Sequence, residues 1–169
     1  MNKFIFLDID GVMNSNLFYS ERTQDKRYDE WIKEHPQHIA WGACNIDPRA
    51  VERLNRITDA TGAKIVVSST WRSDSNLQEV FNLVGIKEPI HDITPFMRSR
   101  HRGSEIQEWL DKQTEPYRYI ILDDDTDMLD WQLPYFIQSD WLKWGLSDED
   151  VEQAIHILND TNTAAKAHL

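Results

Sequence analysis

The sequence predicts an α/β protein with a mainly parallel β-sheet that helices cover on both faces. Short apolar runs without polar alternation recur along the chain, as in strands that are buried on both sides. Segments with helical spacing of apolar residues separate these runs, as in the connections between parallel strands. The length of 169 residues fits a single domain, 1–169, with a small insertion after the first strand.

The first predicted strand covers residues 3–7 and ends at Asp8-Ile9-Asp10-Gly11. A short apolar run that stops at a glycine turn is typical of a buried strand. Residues 14–46 differ, because they are polar and aromatic and show little clean periodicity. We interpret this stretch as a cap-like insertion that lies over the mouth of a site.

A helix is predicted after the insertion. Asp47 suits the N-cap, Pro48 suits the first helical position, and Gly62 suits the C-terminal end. Unbroken apolar runs predict the later strands, and helical spacing of apolar residues predicts the later helices. These elements are a strand at 64–67, a helix at 76–83, a short strand near 90–93, a helix at 104–112, strands at 119–122 and 135–137, and a helix that begins after Ser147 and ends near Leu158.

The charge balance limits the partners of the protein. The chain has 29 acidic and 18 basic residues, and its net charge is −11. An acidic surface repels nucleic acid, because each phosphate contact needs a cation. We therefore expect no extended nucleic-acid binding, whereas a single phosphate or a strand end can still be bound.

The sequence predicts neither a membrane segment nor a secretion signal. No apolar run approaches the ~20 residues that span a bilayer, and the start of the chain turns acidic at Asp8 after only a few apolar residues. We expect a cytoplasmic protein. Cys44 is the one cysteine, which excludes a disulfide within the chain and a multi-cysteine zinc site, and we expect its thiol to be buried.

Polar residues follow three of the predicted strands at their carboxyl ends. These residues are Asp8 and Asp10, Ser68, and Asp123 and Asp124. Because ligands of parallel sheets bind outside the carboxyl ends of the strands, we expect these side chains to converge on one site. This convergence is the main functional prediction from the residues alone.

The carboxylates predict a cation. Asp8 and Asp10 are two positions apart, so both side chains can face the same site. The stretch 123–127 adds four more carboxylates in five residues. Clustered carboxylates repel one another unless a proton or a cation lies between them, and hard oxygen ligands suit Mg²⁺. Taken singly, each stretch is also compatible with a solvated turn or with an acidic loop that begins a helix.

Hydroxyl and guanidinium groups predict phosphate binding at the same edge. Ser68-Ser69-Thr70 offers hydroxyls and backbone N–H groups to an anion, although a helix N-cap alone explains such a stretch as well. Arg72 and Arg102 supply positive charge, and surface residues are the alternative interpretation of both. Nucleophile, acid, metal and phosphate-binding groups together indicate phosphoryl transfer. The chain has no Walker-type glycine loop, which excludes a P-loop kinase.

Four motifs resemble those of the haloacid dehalogenase-like (HAD) phosphohydrolases. Residues 6–12, Phe-Leu-Asp-Ile-Asp-Gly-Val, resemble the first motif, Ser68 the second, and Asp123-Asp124 the fourth. Arg102 stands where the third motif has a Lys or Arg, of which Lys is the commoner. Four stretches are similar to the phosphatase-like domain of Swiss Army Knife RNA repair proteins, and they are 68–72, 102–110, 121–128 and 145–151.

The resemblance implies a Rossmann-like, three-layer HAD fold and an aspartyl-phosphate mechanism. Asp8 would attack phosphorus, and Asp10 would protonate the leaving oxygen and then activate water. Mg²⁺ would be held by Asp8, the backbone carbonyl of Asp10, and Asp123 or Asp124. The phosphoryl oxygens would be held by Ser68 with Ser69 and by Arg102.

The predicted substrate is a phosphomonoester on a nucleotide or at a nucleic-acid end. Trp31 and Trp41 could stack a base, and Arg72 could hold a neighbouring phosphate. The alternative for the aromatic residues is a small core of the insertion itself. Alternative functions are a sugar-phosphate phosphatase of the same superfamily and a non-catalytic phosphate-binding module. A carbon–halide hydrolase would need neither Asp10 nor Mg²⁺. A receiver domain would need an acceptor Asp at the end of a central strand and a Lys after a later one, whereas the matching strand here ends in Ser68 and no such Lys follows.

Overall fold

The structure, a computed structural model, describes residues 1–22, 26–98 and 101–160. Its five strands are β1 (Asn2–Leu7), β2 (Lys64–Val67), β3 (Ile90–Ile93), β4 (Tyr117–Asp123) and β5 (Phe136–Gln138). Its helices are α1 (Asn16–Glu21), α2 (Arg27–Trp31), α3 (Gln37–Cys44), α4 (Pro48–Thr61), α5 (Leu77–Val84), α6 (Arg102–Leu110) and α7 (Asp148–Asn159). Two short 3-10 helices cover Thr70–Ser73 and Asp130–Tyr135.

The strands form one parallel sheet with the order β3-β2-β1-β4-β5. Side chains of β1 alternate between its faces, as in any strand. Ile5 and Leu7 enter a core that α4, α5 and α7 help to form, whereas Phe4 and Phe6 enter a second core that α6 covers. The predicted fold class, a three-layer Rossmann-like arrangement with a mainly parallel sheet, is therefore confirmed.

The local signals of the sequence place several element ends correctly. The Asp47 side chain accepts a hydrogen bond from Arg49 N at the start of α4, and Gly62 ends that helix at φ 65°. Helix α6 begins two residues before the predicted Ser104, because the His101 side chain accepts a hydrogen bond from Ser104 N and acts as the N-cap. Arg102 therefore lies in the first turn of this helix.

The stretch 14–46 contains three short helices where the sequence shows little periodicity, with residues 23–25 outside the described ranges. Phe18 and Ile39 are buried, as is the predicted Cys44, and α3 packs against α5. This stretch thus contributes Ile39, Ala43 and Ile46 to the main core. Its role as a cover of the site remains a prediction. Among the helices of the described ranges, none combines the length and apolarity that a membrane crossing needs.

Candidate active site

The carboxyl ends of β1, β2 and β4 meet at one edge of the sheet, because these strands are parallel neighbours. Asp8 N donates a hydrogen bond to Leu122 O at 3.0 Å, and Ser68 N donates one to Leu7 O at 3.0 Å. These backbone bonds continue the strand pairing by one residue. They place the residues that follow each strand side by side.

Three carboxylates form a cluster at this edge. Asp8, Asp123 and Asp124 each offer an oxygen, and these oxygens lie within 4.8 Å of one another. Asp8 and Asp123 are buried, and Asp124 is half-buried. Burial raises the pKa of all three, and the neighbouring charge of Asp8 raises that of the other two further. For Asp123 the pKa rises to about 7.

The cluster has the properties of a cation site. Its donors are all oxygens, which suits a hard divalent ion. Asp123 Oδ2 is buried and accepts no hydrogen bond from the described residues. The Arg102 Nε atom lies 3.1 Å from this oxygen but outside the direction of a hydrogen bond. A carboxylate oxygen without a donor at a buried site fits a metal ligand.

Arg102 supplies the positive charge of the site. From the first turn of α6, its guanidinium approaches Asp123 through Nε and Asp8 through a terminal nitrogen at 3.7 Å. Its backbone N donates to Asp127 Oδ2 at 2.8 Å. The Asp127 carboxylate therefore binds the start of α6, whereas Asp123 and Asp124 lie with Asp8.

Asp10 is exposed and held in place by two donors. Asn14 Nδ2 donates to its Oδ1 at 3.0 Å, and Trp71 Nε1 donates to its Oδ2 at 2.9 Å. Asn14 is itself buried and also donates to Asn45 O at 3.1 Å. Sequence reasoning did not single out Asn14 or assign Trp71 a role. An asparagine or a tryptophan carries no sequence signal that it donates a hydrogen bond to a particular carboxylate.

Gly11 is required by the close approach of two strand ends. Its backbone has φ 79°, which side chains other than glycine rarely adopt. A Cβ at this position would also lie 2.6 Å from Asp124 Oδ2. Glycine therefore allows the loop that carries Asp10 to contact the acidic loop after β4.

The two serines after β2 differ in their contacts. The Ser69 hydroxyl is hydrogen-bonded to the Asp8 carboxylate and accepts from Trp71 N at 3.3 Å. The Ser68 hydroxyl is buried and has no hydrogen-bond partner among the described residues. This hydroxyl has unused hydrogen-bonding capacity, but Ser68 does not line the cavity beside the cluster.

The terminal nitrogens of Arg72 are held by several protein groups. Its guanidinium donates to Ser68 O at 2.6 Å and Ser69 O at 2.8 Å, and it forms an ion pair with Glu105 at 2.6 Å. The Phe96 ring covers the guanidinium at 3.8 Å. The arginine thus fixes the serine loop relative to α6, and binding of substrate by Arg72 remains a prediction.

Replacing Arg72 by Met is expected to lower the free energy of unfolding by about 3–5 kcal/mol, because the buried Glu105 carboxylate loses its counter-charge. Urea unfolding measures this loss. Arg56→Met is the control, since Arg56 pairs with Asp148 and Glu152 on the exposed surface and should cost at most about 1 kcal/mol. Equal effects of the two substitutions would contradict a structural role of the buried pair.

A cavity of about 450 Å³ opens beside the cluster. Its lining consists of acidic, basic and hydroxyl side chains and one aromatic ring, and it comprises Asp8, Thr70, Arg72, Ser73, Phe96, Arg102, Glu105, Asp123, Asp124, Asp125 and Asp127. Trp31 and Trp41 do not line it. Trp31 packs against the core under the Arg27 guanidinium, and Trp41 lines a separate cavity with Arg22 and Tyr28.

The metal-free protein is expected to lose stability as the pH rises from 5 to 8. The Asp123 pKa is about 7 in the folded chain, whereas an unfolded aspartate titrates near ~3.9. The unfolded state therefore loses this proton at a lower pH than the folded state does, and rising pH favours the unfolded state. The free energy of unfolding should fall by on the order of 2 kcal/mol over this range, as measured by urea unfolding with chelator present.

Asp123→Asn should reduce this pH dependence to the part that the raised pKa values of Asp8 and Asp124 contribute, and the exposed Asp130→Asn should leave it unchanged. Mg²⁺ added at pH 8 should stabilise the wild-type protein more than Mg²⁺ added at pH 5, because protons compete for the same oxygens. An identical pH slope in the wild type and in Asp123→Asn would show that this carboxyl does not titrate in the range.

One protein family matches the chain, over residues 4–151, and it is described as the HAD domain in Swiss Army Knife RNA repair proteins. The match covers most of the chain and contains the whole carboxylate cluster. It confirms the resemblance predicted from the motifs. No curated protein and no solved structure matches the chain.

Proposed function

The chain belongs to the family of HAD domains found in Swiss Army Knife RNA repair proteins, within a superfamily of phosphohydrolases, and we propose that it is a Mg²⁺-dependent phosphomonoesterase. The observation that carries this proposal is the placement of Asp8. Its carboxylate is buried next to Asp123 and Asp124, beside the Arg102 guanidinium, and hydrogen-bonded to Ser69. A carboxylate in such surroundings is suited to nucleophilic attack on a phosphorus atom.

In the first step, an Asp8 oxygen forms a bond to phosphorus, and the bond from phosphorus to the ester oxygen breaks. Asp10 donates a proton to that oxygen, which leaves as an alcohol. The hydrogen bonds from Asn14 and Trp71 hold the Asp10 carboxyl in one orientation for this transfer. In the second step, Asp10 takes a proton from water, and the water oxygen forms a bond to phosphorus. The bond between phosphorus and the Asp8 oxygen breaks, which gives free Asp8 carboxylate and inorganic phosphate.

Two further groups act on the phosphoryl oxygens, and a third acts on the nucleophile. Arg102 offers N–H donors and positive charge from the start of α6, and the unpartnered Ser68 hydroxyl offers another donor. Both favour the charge that develops on these oxygens in the transition state. Ser69 donates to Asp8 and so sets the direction of the nucleophile.

Mg²⁺ is the ion that the donors suit, and Asp8, Asp123 and Asp124 would hold it. When bound, it supplies charge compensation for the clustered carboxylates and for the phosphoryl group. Arg102 offsets part of this negative charge in the protein itself.

The proposed substrate is a phosphomonoester on a nucleotide or at a nucleic-acid end. The family description, with its reference to RNA repair proteins, supports this class. The net charge of −11 favours a substrate with few phosphates. A mononucleotide or a strand terminus needs only one or two cationic contacts.

The test is a phosphate-release screen with nucleoside monophosphates, oligonucleotides phosphorylated at the 3′ or 5′ end, sugar phosphates and an aryl phosphate. Each is measured with Mg²⁺ and with chelator. We expect Mg²⁺-dependent release, fastest from nucleotides or strand ends. Faster turnover of sugar phosphates would refute the proposed substrate class but leave the phosphatase assignment intact. Release of phosphate from none of the esters would refute the phosphatase assignment.

A further inference from the structure

We propose that a second cavity, next to the catalytic one, binds the nucleobase of the substrate and that Trp141 is its stacking surface. This inference rests on the proposed phosphomonoesterase function. The cavity, called here the Trp141 pocket, has a volume of about 380 Å³. Its lining combines acidic and amide groups with two exposed apolar side chains, and it comprises Asp124, Gln138, Ser139, Asp140, Trp141 and Leu142.

The Trp141 pocket adjoins the catalytic cavity, because Asp124 lines both. Asp124 also contacts Gly11, the residue that follows Asp10 in the chain. The catalytic cavity contains Asp8 and Arg102, which act on the phosphoryl group. The Trp141 pocket lies next to the cluster and beside the loop that carries Asp10, so a substrate whose phosphate lies in the catalytic cavity can extend into it.

The pocket is fixed to the catalytic loops by hydrogen bonds. The Ser139 hydroxyl donates to Gly11 O at 2.8 Å, and Gln138 Nε2 donates to Asp124 O at 3.0 Å. Asn16 N donates to Trp141 O at 2.8 Å. A surface that is already fixed loses little conformational freedom when a ligand binds.

The chemistry of the pocket matches a nucleobase. Trp141 is 39% exposed and Leu142 is 66% exposed, so both offer apolar surface to a planar ring. The Gln138 and Asp140 side chains bring acceptor oxygens, which suit the N–H donors at the edge of a base. Asp140 accepts from Leu142 N at 3.0 Å and pairs with Lys143 Nζ at 3.4 Å, which holds its carboxylate in place at the pocket.

This assignment differs from the prediction that Trp31 and Trp41 bind the base. The Trp41 cavity is lined by Arg22, Tyr28, Trp41, Cys44 and Asn45, and it shares no lining residue with the catalytic cavity. Trp141 was not singled out by the sequence, because it lies far along the chain, after the last strand. Only the parallel sheet brings its segment next to Gly11.

The experiment compares Trp141→Ala with two matched controls, Trp41→Ala and Trp131→Ala, which remove other exposed indoles. The Michaelis constant is measured for adenosine monophosphate and for glycerol phosphate, which lacks a base. We expect Trp141→Ala to raise the Michaelis constant for the nucleotide about tenfold and leave that for glycerol phosphate unchanged. The controls should change neither value, and Trp141→Phe should retain most of the nucleotide preference.

The inference would be overturned if Trp141→Ala changed the Michaelis constant equally for both substrates or for neither. It would also be overturned if Trp41→Ala had the expected effect and Trp141→Ala did not. Binding of unphosphorylated adenosine, measured by calorimetry, separates this result from the failure of the proposed function, because it needs no turnover. Weaker adenosine binding by Trp141→Ala supports the pocket even in a protein that hydrolyses no ester. Unchanged adenosine binding, or none to the wild type, counts against it.

Discussion

Asp8→Asn is expected to abolish phosphate release, with kcat lowered by about 10⁴-fold or more. An amide at this position is a far weaker nucleophile and carries no charge to attract a cation. The substitution keeps the size of the side chain, so the buried site should remain folded. No other carboxylate of the cluster lies at the end of the central strand β1.

Two measurements check this expectation. Steady-state phosphate release gives the loss of turnover, with Asp130→Asn as the control for an exposed carboxylate outside the site. Mass spectrometry after acid quench should find a phosphorylated peptide that contains Asp8 in the wild type and not in the variant. Retention of more than about a tenth of the activity would show that another group forms the covalent bond.

The residues at the strand ends could be predicted from the sequence because two simple rules apply to them. Unbroken apolar runs identify parallel strands, and parallel strands end at the same edge of the sheet. Asp8, Ser68 and Asp123 each follow such a run directly. Their meeting in the structure therefore depends on strand order alone, and strand order brings β1 between β2 and β4.

The contacts that hold these residues could not be predicted, because they depend on side chains far apart in the sequence. The Arg72 and Glu105 pair joins residues 33 positions apart, and Trp71 reaches Asp10 across 61 positions. A tryptophan or a glutamate in a polar stretch looks like a surface residue. Only the fold brings Glu105 of α6 to Arg72 and buries the pair.

The stretch 14–46 shows a different limit of sequence reasoning. Its helices are short, between five and eight residues in the described part, so the apolar repeat of a helix is barely sampled. Such helices are marginal by themselves and form because their apolar side chains join the main core. A polar, aromatic composition therefore concealed regular structure.

The second large effect is expected for Asp10→Asn. An amide cannot donate the proton that an alkoxide leaving group needs, so hydrolysis of alkyl esters and nucleotides should slow by about 10²–10⁴-fold. Activated aryl phosphates leave without protonation, and their first step should slow much less. Comparing kcat/KM for the two ester classes isolates this step, because kcat/KM reports reaction up to the first irreversible step.

The geometry around Asp10 supplies the matched variant for this test. Trp71→Phe keeps an aromatic ring but removes the Nε1 donor that lies 2.9 Å from Asp10 Oδ2. The carboxyl remains but has one orienting hydrogen bond fewer. We therefore expect hydrolysis of alkyl esters to slow by about tenfold relative to that of activated aryl esters, a smaller effect than that of Asp10→Asn.

Equal slowing of alkyl and aryl esters by Asp10→Asn would assign this carboxylate to binding rather than to proton transfer. A Trp71→Phe variant with unchanged leaving-group dependence would show that Asn14 alone is enough to orient Asp10, because Asn14 Nδ2 donates to the other carboxyl oxygen at 3.0 Å.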